Sequence, residues 1–75
     1  MSINEYVVRE RAGLWELWLG GRLVTGQPTR GYALGVARAL AAVDARRGQP
    51  SSIRASSMDG MAIEIPIDPI AANAA

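Results

Sequence analysis

A chain of 75 residues has room for one domain around one thin core, and this one contains neither cysteine nor histidine. Disulfide staples, the usual zinc and haem ligands and histidine-dependent catalytic triads are therefore excluded. The formal net charge is +1, from eight basic residues, all arginine, against seven acids, so long-range attraction to a phosphate backbone is weak.

Residues 4–11 (NEYVVRER) read as a first strand, β-branched and aromatic at its centre, and Ala12-Gly13 as a turn. Residues 14–19 (LWELWL) form a second strand. Gly20-Gly21 suits a two-residue hairpin whose central positions both need positive φ, and residues 22–25 return as a third strand. Gly26-Gln27-Pro28 breaks the pattern, and Thr29 is placed to cap a helix over 30–47. Arg46 and Arg47 suit the negative end of that helix, Gly48 suits its left-handed stop, and Pro50 prevents continuation. A strand is expected over 52–57, an Asp59-Gly60 turn, and a last strand over 61–67, with Pro66 assigning it to a sheet edge. Residues 1–67 then form a single domain and 68–75 (DPIAANAA) a disordered tail. The expected fold is α+β, two-layer, an antiparallel sheet with one helix packed on one face, in the order β-β-β-α-β-β.

Two-residue turns fix which side chains share a face. Tyr6, Val8, Trp15, Leu17, Leu19 and Val24 fall on the more apolar face, expected to meet the helix. Ile63, Ile65 and Ile67 alternate with polar or small residues and should join them. At about 100° per residue, Tyr32, Val36, Leu40 and Val43 make one helix stripe, expected to pack on the sheet with Ala33 and Ala37 flanking it. Gly35 falls on the far side, where glycine costs about 1 kcal/mol relative to alanine.

The other sheet face carries Val7, Arg9, Arg11, Leu14, Glu16, Trp18, Leu23 and Thr25. Val7, Trp18 and Leu23 should lie side by side across three strands, with Arg9 and Glu16 opposite one another one step away, placed to pair. Contiguous exposed apolar residues of this kind mark interaction surfaces. Val7, Trp18, Leu23, Arg9 and Glu16 are thus the expected partner-binding residues.

Other chemistry finds little support in these residues. Ser51-Ser52 and Ser56-Ser57 have no base to activate them. Asp59, Glu64 and Asp68 are too few for a hard cation and are explained by turn and strand positions. The segment from Gly26 to Gly31 offers N–H donors with Thr29 and Arg30, but lacks the glycine spacing and lysine of a phosphate loop. No catalytic residue, cofactor or metal is expected. The leading expectation is a cytoplasmic, non-enzymatic interaction module that self-associates through its sheet or binds a protein partner. The N-terminus lacks a leader pattern, and no apolar run is long enough to span a membrane. The alternative is weak binding of single-stranded nucleic acid by Trp18, Arg9, Arg11 and Arg54 on the open face, against which Glu16 and Glu64 stand.

Gly13-Leu14-Trp15 at the first turn, Thr29 ahead of an Ala-rich helix ending in Arg46-Arg47-Gly48, and Asp59-Gly60 in the last hairpin together resemble a family of small single-domain bacterial proteins of unknown function. That family places its glycine and tryptophan adjacently, whereas Leu14 separates them here. The resemblance spans residues 5–65 and implies the same element order, with no functional residue to carry over. A strand meander followed by a helix also looks like antitoxin domains of the partial RNase H type and double-stranded-RNA-binding domains, at the level of fold alone.

Overall fold

The computed structural model describes residues 2–56 and 62–67. Three strands, β1 (Asn4–Arg11), β2 (Leu14–Leu19) and β3 (Arg22–Gln27), precede the helix α1 (Arg30–Arg46), and β4 (Ser51–Ser56) and β5 (Ala62–Ile65) follow it. The helix packs on one face of a five-stranded sheet ordered β3-β2-β1-β4-β5, which makes a two-layer α+β fold. The expected Asp59-Gly60 turn and the tail 68–75 lie outside the described residues. Among those residues no helix is long and apolar enough to cross a membrane.

Both early turns have the predicted form. Gly20 and Gly21 sit at φ 55° and 81°, and Ala12 and Gly13 at 52° and 82°, so both central positions of each hairpin are left-handed. These turns close the pairs Arg11↔Leu14 and Leu19↔Arg22, from which Tyr6↔Leu19, Val7↔Trp18 and Val8↔Leu17 follow. The register then changes between β2 and β3. Trp18 faces Leu23, but Leu17 faces Thr25, leaving Val24 as the extra residue of a β-bulge. Val24 was expected in the core and is instead 42% exposed, while Thr25 moves from the outer face to the helix-facing one. The bulge also carries β3 through Gly26 and Gln27, which the sequence assigned to a break.

The sheet is mixed rather than antiparallel throughout, because β4 runs parallel to β1 in the register Tyr6↔Ile53 and Val8↔Ala55. The physical reason is the helix itself. Its 17 residues carry the chain back along the length of β3, so β4 starts in the direction of β3 and hence of β1. β5 then pairs antiparallel with β4 as an edge strand, with Pro66 just beyond its end.

Thr29 caps α1 with an extended backbone (φ −133°, ψ 156°), and its hydroxyl oxygen accepts from the Tyr32 N–H at 3.2 Å. At the other end Gly48 adopts φ 73° and Arg47 N–H donates to the Asp44 carbonyl at 3.0 Å. The buried stripe differs from the expected one. It consists of Ala33, Leu34, Ala37 and Ala41, with Val36 and Leu40 half-buried beside it, while Tyr32 and Val43 point to solvent. The sheet contributes the bulky core residues Tyr6, Val8, Trp15, Leu17 and Ile53, so the helix must bring small ones for the layers to close without voids. α1 reaches across β3, β2, β1 and β4 but not β5. Ile63, expected in the core, is consequently exposed, whereas Ile65 and Ile67 are partly covered.

Seating of this kind tolerates no added volume at its centre. Ala37→Leu is expected to lower stability by about 1–3 kcal/mol, while Ala39→Leu, on the exposed side, should stay within about 0.5 kcal/mol. Urea denaturation of both variants distinguishes the two sides; equal effects would mean that the helix is seated differently.

Candidate functional site

The outer face of the sheet brings the five predicted residues together. Leu23 on β3, Trp18 on β2 and Val7 on β1 are direct cross-strand neighbours, and the same row continues through Arg54 on β4 to Glu64 on β5. Leu23 is 48% exposed; Val7 and Trp18 are half-buried. Arg9 and Glu16 face one another in the next row, as the register requires.

Their side chains, however, both turn to the indole. The Arg9 guanidinium carbon lies 4.7 Å from the centroid of the Trp18 ring, and Trp18 Nε1 donates to Glu16 Oε1 at 3.2 Å. A cation over an aromatic face at a partly exposed site contributes about 0.5–1 kcal/mol. Trp18 is therefore fixed in orientation, its polar edge satisfied and one part of its face roofed by Arg9. Leu14, exposed at the start of β2, and Leu23 extend the apolar surface around it. Arg9, Arg11 and Arg54 are balanced on this face by Glu5, Glu16 and Glu64.

A second polar cluster escaped the sequence reading. Asp44, in the last turn of α1, accepts on Oδ2 from the Tyr6 hydroxyl (2.7 Å), Ser51 Oγ (2.8 Å) and Asn4 Nδ2 (3.0 Å). Its backbone carbonyl also accepts from Gln49 N–H at 2.8 Å, and the Asn4 N–H donates to the Pro50 carbonyl at 3.0 Å. The end of the helix is thereby tied to the starts of β1 and β4. One signal for it was available: an acid in a C-terminal helical turn opposes the helix dipole and calls for compensating donors.

Burial pushes the Asp44 carboxyl upward, but the three hydrogen bonds, with Arg47 nearby, outweigh it and hold the group below the ordinary carboxylate value. Tyr6 is pushed up to about 12, by burial first and then by donating to the Asp44 carboxylate and facing its charge. A carboxylate held below its ordinary value by three hydrogen bonds on one oxygen is poorly matched to proton transfer near neutral pH, and the cluster reads as a structural clamp. Beside the clamp runs an open groove of about 410 Å³, lined by Ala41, Ala45, Pro50, Ser51 and Ile67. Among the described residues no three acids, histidines or cysteines gather as a metal site.

Comparison with known proteins finds no matching family model, no matching curated relative and no matching solved structure.

The clamp has a pH signature. Because the Asp44 carboxyl is lowered on folding, its contribution is complete above the unfolded value of about 3.9 and is lost as pH falls through the folded one. Asp44→Ala should cost about 2 kcal/mol at neutral pH by removing charge-assisted hydrogen bonds, and should flatten the acid limb of the stability profile. Tyr6, raised on folding, contributes below about pH 10 and loses that contribution as pH rises through about 12. In a Tyr32→Phe background, tyrosinate absorbance should appear near pH 12; ionisation near pH 10 would mean that the Tyr6 hydroxyl is not held by Asp44.

Proposed function

We propose that the chain is a non-enzymatic interaction module that pairs with a second copy through the outer face of its sheet. The observation that carries this is the row Leu23–Trp18–Val7, three apolar side chains wide, with Trp18 held in one orientation by Arg9 and Glu16. A preoriented aromatic surrounded by aliphatic neighbours and bordered by charges of both signs has the composition of a protein–protein contact. Single-stranded nucleic acid is less well suited to it. Arg9 already occupies part of the ring face on which a base would stack, and three carboxylates offset the three arginines.

Sedimentation equilibrium over a wide concentration range tests the pairing. The wild-type protein should approach twice 8.0 kDa, and Trp18→Glu should give a monomer. Leu23→Glu, at an exposed position, should do the same with its circular dichroism unchanged, which separates loss of contact from loss of fold. A wild-type monomer at every concentration, or dimers unaffected by Leu23→Glu, would end the proposal. Salt-sensitive binding of a single-stranded oligonucleotide, weakened by Arg9→Ala and Arg54→Ala, would reassign the face to nucleic acid.

A further inference from the structure

Helix α1 is apolar on the side turned away from the sheet as well as on the side that meets it. Tyr32 is 66% exposed and Val43 40% exposed, with Val36 half-buried beside them. Gly31, Gly35 and Ala39 recur every four residues on the same side and are all exposed. Neither glycine has a positive φ, and a Cβ placed on either would meet nothing within 4 Å. Among the described residues nothing therefore calls for glycine at these positions, where it disfavours the helix. A missing Cβ does serve one purpose here, since it lets another backbone come close.

The charges around this side have one sign. Arg38 and Arg46 are exposed, whereas Asp44, the one acid of the helix, is bonded to Asn4, Tyr6 and Ser51 against the sheet. A second copy would bring arginine against arginine. The side also lies on the opposite layer from the Trp18 face and remains open when two copies pair through their sheets. We propose that it receives an amphipathic helix of another protein, whose apolar stripe packs over Gly35 and Ala39 between Tyr32 and Val43 and whose bordering carboxylates meet Arg38 and Arg46.

The probe is a synthetic helical peptide with a Leu/Ala stripe bordered by glutamates, and its control carries lysines in their place. Titrated into the ¹⁵N-labelled full chain, the glutamate peptide should shift the amides of Tyr32, Gly35, Ala39 and Val43 saturably, and the lysine peptide should bind at least about tenfold more weakly. Gly35→Leu has open space for its side chain, so it should keep its melting temperature and lose binding; Arg38→Glu should narrow the preference between the two peptides. Absence of shifts at millimolar peptide, equal binding of both peptides, or full binding by Gly35→Leu would overturn the proposal. So would conversion of a dimer to a monomer by Gly35→Leu, which would assign the face to a second copy. Binding to phosphatidylserine vesicles without peptide binding would likewise overturn it and assign the face to a lipid surface.

Discussion

Ala33, Ala37 and Ala41 recur every four residues, and through them the backbone of α1 comes down directly onto the sheet. The depth of that seat decides most of what surrounds it. With little side-chain bulk under the helix beyond Leu34, the space is filled from below by Tyr6, Val8, Leu17 and Ile53, each almost fully buried. The other larger helical residues are displaced sideways, as Val36 and Leu40 are, or outward, as Tyr32 and Val43 are. A helix is about 10 Å across with its side chains, whereas five strands spaced about 4.8 Å apart make a wider layer. One helix therefore leaves an edge uncovered, and β5 is that edge.

The Asp44 clamp complements the alanine seat. Alanine contacts are weakly directional and would let the helix slide or rotate over the sheet. Three donors from β1 and β4 converging on one carboxylate oxygen permit one position only. The same bonds hold the beginnings of the two parallel strands side by side, where no hairpin turn sets their register. A net charge-assisted bond contributes more than a neutral one, and here the acid also satisfies hydroxyl and amide groups that would otherwise be partly buried without partners.

What the sequence made legible is what short-range chemistry controls. Gly20-Gly21 requires left-handed backbone at two adjacent positions, so the β2–β3 turn and the outer-face alignment of Trp18 with Leu23 were readable from the residues themselves. The row Val7–Trp18–Leu23 followed from the turns alone, and so did the opposition of Arg9 and Glu16. The bulge at Val24 was not readable, since an extra valine in a strand has no distinguishing residue type. Nor was the parallel pairing of β4 with β1, which depends on where a helix delivers the chain rather than on the composition of SSIRAS. The helix stripe was misjudged for a simpler reason. Large apolar side chains mark a core stripe in most helices, whereas an already bulky sheet here takes three alanines and only Leu34 among the large ones.

The two apolar surfaces left over differ in a way that bears on what each can bind. In a two-fold contact a patch meets its own copy, so every charge in it must find an opposite charge in the same patch. The outer sheet face meets that condition, with Arg9, Arg11 and Arg54 interleaved with Glu5, Glu16 and Glu64. The outward side of α1 does not, because its exposed charges, Arg38 and Arg46, are both positive. Self-pairing there would gather like charges around an apolar centre, at a cost that rises as water is expelled. Symmetry alone thus separates the two layers by charge: the outer sheet face can meet its own copy without gathering like charges, and the outward side of α1 cannot.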